Sequence, residues 1–278
     1  MIKKHLITCS VILVLFVSAK LFIYSTPATS YNSKTTIKKT ILTEPKVDDD
    51  YYNSLTFANE ELPLGDERVK LKMEQMLKAH NYQKIQTLKL HRKAAEWFPI
   101  IVPILQKYGI PEDFKYMPLV ESGLLSGTSP KGASGYWQFM PQTARNFGLR
   151  VNSGVDERQL IGKSTIAACK YLKGLYKQFN SWTLAAAAYN IGEGGLKKQI
   201  SRQNQDNYFK MKLNAETATY VYKLISMKEI IENPELYGYN TKADKTLAKL
   251  KTTIPERNPL IDALAEDKAI KVFETLQN

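Results

Sequence analysis

Over most of this chain, apolar residues recur at three- and four-residue spacing. From about residue 66, Val69, Met73, Met76 and Leu77 follow this period and predict a helix. Ile100, Ile101, Ile104, Leu105 and Tyr108 mark a second apolar face, stopped by Gly109. Pro99 and Pro103 fall beside that face, and proline fits the start of a helix better than its middle. Pro141 to Gly148 reads as a short helix, with proline at its first position and glycine past its end. Ser164 is the expected cap of a helix running to about Phe179. Trp182 to Tyr189 is alanine-rich and helical, closing in a Gly192-Glu-Gly-Gly195 turn. Asn214 is placed to cap a further helix reaching about Glu232, ahead of Pro234. No strand alternation stands out. The expectation is an all-α domain of many short helices around a cleft.

Both ends break the pattern. Lys3 and Lys4 precede an apolar run from Leu6 to Val17, and Val17 and Ala19 suit the −3 and −1 positions of a signal-peptidase site. The run is short for a membrane span, although Leu21-Phe-Ile-Tyr24 prolongs it past Lys20. Residues 1–19 are therefore either a cleaved signal peptide or an N-terminal anchor. Residues 20–65 are rich in Ser, Thr, Lys and Asp and read as a flexible linker. Residues 66–240 form the expected folded domain. Residues 241–278 are Lys- and Thr-rich, then weakly amphipathic from Leu260 to Leu276, and read as a tail without a complete repeat.

Charge and rare residues narrow the chemistry. The formal net charge of +12 suits either a solvated basic surface or an anionic polymer or membrane partner. Nucleic acid is not expected, because no nucleic-acid-binding motif is present. Cys9 lies in the N-terminal run, and Cys169 sits on the apolar side of a helix with Ile166, Leu172 and Tyr176, so it reads as a small buried residue. The three histidines are His5, His80 and His91, all upstream of the motif-bearing region. A His-dependent triad, a zinc peptidase and a zinc amidase are thereby disfavoured. Carboxylates, tyrosines and amides are left to do the chemistry, and no metal or cofactor is expected.

Three blocks supply those groups: Tyr116-Met-Pro-Leu-Val-Glu121-Ser-Gly, Gly132-Ala-Ser-Gly-Tyr-Trp-Gln-Phe-Met140 and Ala187-Ala-Tyr-Asn-Ile-Gly-Glu-Gly-Gly195. Glu121 ends an apolar run. A carboxyl group against an apolar wall has a raised pKa and stays protonated near neutral pH, as an acid catalyst of glycosidic cleavage must. In this order, the blocks resemble the catalytic domain of family 1 lytic transglycosylases of bacterial cell walls (the SLT domain). The resemblance covers roughly residues 65–235 and extends to Asp156-Glu-Arg, Ser164-Thr-Ile-Ala-Ala and Leu213-Asn-Ala-Glu-Thr217.

The resemblance implies a goose-type lysozyme-like, multi-helix fold with a substrate cleft, in an exported protein of the periplasm or cell envelope acting on peptidoglycan glycan strands. It implies that Glu121 protonates the oxygen linking N-acetylmuramic acid to N-acetylglucosamine. As base, Glu121 then deprotonates the muramic acid C6 hydroxyl, which closes a 1,6-anhydro ring. A substrate nucleophile needs no second carboxylate, whereas ordinary glycosidases use two, roughly 5–10 Å apart.

Ser122 either binds substrate or caps the chain break. Gln138 either meets sugar amides or Glu121, or satisfies its own loop. Trp137 is expected in the core, whereas Tyr136 replaces a leucine frequent in the family. Gly123, Gly132 and Gly135 are expected to let the backbone approach closely at the cleft wall. Tyr189 is a donor to Glu121 or to a substrate N-acetyl group. Asn190 holds its turn or binds a sugar. Tyr220 matches a late family tyrosine that lines the cleft, or is a core residue at helical spacing. Asp156 and Glu157 read as structural charge pairing, and Glu193 as part of a turn. A hydrolytic goose-type muramidase would recruit one of those three carboxylates; a catalytically dead wall-binding scaffold is the remaining alternative.

Overall fold

The computed structural model describes residues 49–253. The expected signal or anchor, the first part of the linker and most of the tail lie outside them. Among the described residues eleven α-helices dominate: α1 (Asp49–Asn53), α2 (Glu67–His80), α3 (Tyr82–Ile85), α4 (Lys89–Lys107), α5 (Met117–Ser122), α6 (Pro141–Asn146), α7 (Ile161–Phe179), α8 (Trp182–Ile191), α9 (Glu193–Gln203), α10 (Thr217–Glu232) and α11 (Lys245–Thr253). A hairpin of β1 (Thr56–Phe57) and β2 (Glu60–Glu61) is the only named sheet among the described residues. The all-α expectation holds.

The core is built round α8. Ala185, Ala186, Ala187 and Ala188 are fully buried, so α7 and α10 can approach it closely on both sides. Such an all-round apolar helix is stable only inside a domain. Asn180 makes the sharp α7–α8 reversal in a left-handed conformation, which asparagine tolerates well. α10 also packs on α2, and α4 on α7.

The linker expectation fails over its last residues. Leu55, Phe57, Leu62 and Leu64 are buried in the main core. Ala58 and Asn59 both take positive φ, the requirement of a tight two-residue hairpin. The Glu60 carboxylate accepts bonds from Ser181 Oγ, Trp182 N and Thr183 N, neutralising the N-terminal dipole of α8. Five apolar residues folded back by a two-residue turn are too few to show a period, so composition alone misleads here. The tail boundary also moves. Asp244 caps Leu247 N at 2.9 Å and pairs with Arg92, and buried Leu247 seats α11 on α4.

Three helix expectations are corrected. Pro99 and Pro103 lie inside α4. Two prolines four apart fall on one side of the helix and remain part-exposed, while Ala94, Ile101, Ile104 and Leu105 bury the other. Burial of that face offsets the lost backbone bonds. Ser164 is not a cap: α7 starts three residues earlier, and the Ser164 hydroxyl donates to the Leu160 carbonyl at 2.8 Å. The glycine turn after α8 shrinks to Gly192, because α9 begins at Glu193. Asn214 does cap as expected, accepting from Thr217 N at 2.9 Å.

Candidate active site

Glu121 sits in the last turn of α5. Met117, Pro118 and Leu119 anchor this short helix in the core, which turns Glu121 and Ser122 towards a part-exposed side. Gly123, at φ +64°, ends the helix by donating its N–H to the Leu119 carbonyl at 3.0 Å. That left-handed cap favours glycine. The Ser122 hydroxyl has one proton to give, to the carbonyl of Pro118 at 3.0 Å or of Tyr136 at 2.8 Å. The second of these ties α5 to the Gly132–Met140 loop.

That loop is braced from behind. Arg158 donates to the carbonyls of Gly132 and Phe139, both at 2.8 Å, and pairs with Asp156 at 2.7 Å. Gly135, at φ +78°, lies so near that a Cβ there would stand 1.8 Å from the Arg158 carbonyl oxygen. The close approach expected of this glycine is thus to the Arg158 backbone. Trp137 is fully buried, its indole donating to Thr165 Oγ1 at 2.9 Å, so it is core as expected. Gln138, at φ +49°, donates its amide to the carbonyls of Gly135 (2.8 Å) and Gly127 (3.3 Å). Of its two readings, the structure realises the loop-satisfying one.

Tyr189, on α8, donates to the Trp137 carbonyl at 2.8 Å, not to Glu121. Its ring packs against Phe139 and Tyr171. Asn190 joins α8 to α10: its amide donates to Glu216 Oε1 at 3.2 Å, and its carbonyl accepts from Thr217 Oγ1 at 2.7 Å. The residue that reaches the acid is Tyr220, in the first turns of α10, whose hydroxyl donates to Glu121 Oε1 at 2.5 Å. Tyr220 is a core residue, 2% exposed, and its hydroxyl meets the carboxyl group.

Burial raises the Glu121 pKa from the ordinary carboxylate value to about 7. The Tyr220 bond pulls against that shift, the Glu216 charge adds to it, and Lys223 opposes it. Burial, then Glu121, raises the hydroxyls of Tyr189 and Tyr220 well above the usual tyrosine value, so both stay protonated donors. Glu121 is crowded by protein yet keeps solvent access, the condition of a group in a cleft wall. An apolar groove of about 550 Å³ between α4 and the C-terminal elements contains none of these residues.

Asp156 and Glu157 are engaged as structural pairs, as expected. Glu157 is bound by Arg150 and Lys163, both at 2.8 Å. Glu216 and Lys223 were not among the expected site residues. With Tyr220 they stand at spacings of four and three, one face of a helix, a signal already present in the sequence.

Comparison with known proteins now places the chain. The Transglycosylase SLT domain family matches residues 100–212. Membrane-bound lytic murein transglycosylase D of Escherichia coli K12 is 30% identical over 211 residues, 72% of this chain and 46% of that protein. A putative tributyltin chloride resistance protein of Alteromonas sp. strain M-1 is 34% identical over 148 residues, 51% of this chain and 72% of that protein. A solved structure, of an inactive mutant of lytic transglycosylase Slt from Pseudomonas aeruginosa, matches at TM-score 0.37 and 23% identity, over 53% of this chain and 25% of that one. That last likeness is too slight to carry an argument. The chain belongs to the SLT transglycosylase family, and it spans about half the length of the E. coli relative. Tyr220 and Glu216 lie beyond the family match; the fold returns both to the acid.

Proposed function

We propose that this protein is a peptidoglycan lytic transglycosylase. It cleaves the β-1,4 bond between N-acetylmuramic acid and N-acetylglucosamine without water. The observation that carries this reading is Glu121, a carboxyl group with a pKa of about 7, held by Tyr220 in a part-exposed site. A group titrating there serves as acid and then as base at one pH. Tyr220 occupies Oε1, which leaves Oε2 to hand its proton to the glycosidic oxygen. The C1–O4 bond breaks as that oxygen is protonated. The carboxylate then accepts the proton of the C6 hydroxyl, O6 bonds to C1, and a 1,6-anhydro ring closes. Glu121 ends protonated again, so the cycle consumes no water. Ser122, Gln138, Tyr189 and Asn190 act through the walls: they fix the α5 turn, the loop and the α8–α10 junction round the acid.

Family membership and the printed name of the E. coli relative support peptidoglycan strands as substrate and a cell-envelope location. The Lys3-to-Ala19 pattern supports export, with the N-terminus as a route to membrane association. Among the described residues, no helix is long and apolar enough to cross a membrane. One observation favours a hydrolytic muramidase as second reading: the Glu216 carboxylate acts electrostatically on Glu121.

Digestion of purified sacculi by the protein and by Glu121→Gln, with mass spectrometry of the products, decides between them. Muropeptides ending in 1,6-anhydro-muramic acid, absent with the variant, are expected. Reducing-end products would make it a muramidase. Unchanged lysis by Glu121→Gln would remove the assignment.

A further inference from the structure

We propose that Glu216 is a positioning residue of this site: its carboxylate, held by Asn190 at the head of α10, favours the protonated form of Glu121 and so extends the pH range over which the acid works. This rests on the acid role given to Glu121 above.

One contact holds Glu216 itself, and the others fix its partner and the start of the helix. Asn190 Nδ2 donates to Glu216 Oε1 at 3.2 Å. The other end of the same amide accepts from Thr217 Oγ1 at 2.7 Å, which fixes its orientation. Asn214 Oδ1 accepts from Thr217 N at 2.9 Å, closing the first turn of α10. Glu216 thereby stands at the positive end of a 16-residue helix, where a carboxylate is favoured. Tyr220 follows four residues later on the same face and donates to Glu121 at 2.5 Å. Lys223 comes three residues after Tyr220. One helix face therefore presents an anion, the hydroxyl that grips the acid, and a cation.

The charged and titratable groups acting on Glu121 are Glu216, Tyr220 and Lys223 from α10 and Tyr189 from α8. The two tyrosines remain neutral, so Glu216 and Lys223 set the balance. A nearby anion disfavours ionisation of Glu121, and Lys223 promotes it. Asn190, expected to hold a turn or bind sugar, thus acts by aiming a carboxylate. Glu216 is exposed, so its influence is screened by salt, unlike the burial that makes up most of the shift.

The test compares pH–rate profiles of sacculus lysis for the protein, Glu216→Gln and Glu216→Asp, at low and high ionic strength. Glutamine keeps an acceptor for Asn190 and removes only the charge. The alkaline limb of Glu216→Gln is expected to move acidward by about half a pH unit, roughly threefold less activity at pH 8 and no change at pH 5. High salt should close the gap, and Glu216→Asp should keep the parent limb. A ¹³C-carboxyl NMR titration of Glu121 in the same proteins reads the effect without turnover. A shifted titration in a protein that does not lyse sacculi would sink the enzymatic reading and leave only the coupling of Glu216 to Glu121 standing. An unshifted Glu121 titration, an equal loss of activity at every pH, or near-total loss at every pH would overturn it; the last would make Glu216 a participant in the reaction.

Discussion

Glu121 and Glu157 are two sheltered glutamates of one domain, driven to opposite ends of the carboxylate range. Glu157 is the less exposed at 3%, and burial opposes its charge, yet Lys163 and Arg150 hold its pKa down at about 2. Glu121 keeps some solvent access, but its direct partner is a neutral hydroxyl, so burial prevails and its pKa rises to about 7. Partners, more than depth, decide whether a sheltered carboxyl group stays ionised. Glu157 stays ionised at any physiological pH, so it cannot serve as the acid, and its oxygens are taken up by Arg150 and Lys163. Glu121 can gain and lose a proton near neutrality, as an acid/base catalyst must.

The sharpest way to break this contrast is Glu121→Gln. Sacculus lysis should fall roughly 10²–10⁴-fold, the usual span for loss of a general acid, with the fold intact by circular dichroism. Glu157→Gln should do the reverse. Two largely solvent-exposed cations would face a neutral group, costing about 2 kcal/mol of stability at pH 7, while activity per folded molecule persists. A depressed pKa gives stability that is present above the ordinary value of 4.5 and lost as pH falls towards 2. The parent and Glu157→Gln melting temperatures should therefore converge on acidification.

Glu121 has the opposite sign. Its raised pKa costs stability increasingly from about pH 4.5 and fully above about pH 7. Glu121→Gln should then melt like the parent at pH 4 and be more stable at pH 8 by about 2 kcal/mol, measured by denaturant titration. The smallest effect belongs to Tyr220→Phe. The hydroxyl favours ionised Glu121, so its loss should move the alkaline limb of lysis to higher pH, by less than about one unit. A limb moving to lower pH would show that the Tyr220 bond does not act as read here.

Much of this site was legible in the chain. Glu121 at the end of an apolar run, the paired Asp156-Glu-Arg segment, core Trp137 and buried Cys169 all follow from local pattern, and all stand so in the structure. The hidden parts share a cause. Glu60 caps α8 from 121 residues away, and Asn190 meets Thr217 across 27. No local period encodes a partner at that distance. Tyr189 and Tyr220 show it most clearly. Both are tyrosines in apolar helices, and only the seating of α8 beside the Trp137 loop directs Tyr189 to a carbonyl and leaves Tyr220 for the acid.

The sequence by itself determined the helical class, the course of the main helices, the candidate acid Glu121 and the absence of histidine after residue 91. These rest on side-chain chemistry and on spacing within a turn or two of helix. Only the tertiary structure decided which hydroxyl grips Glu121, which carboxylate acts on it, and that Leu55, Phe57, Leu62 and Leu64 belong to the core. Those depend on how helices distant in sequence pack, because the energy of a buried charge is set by every group the fold brings round it.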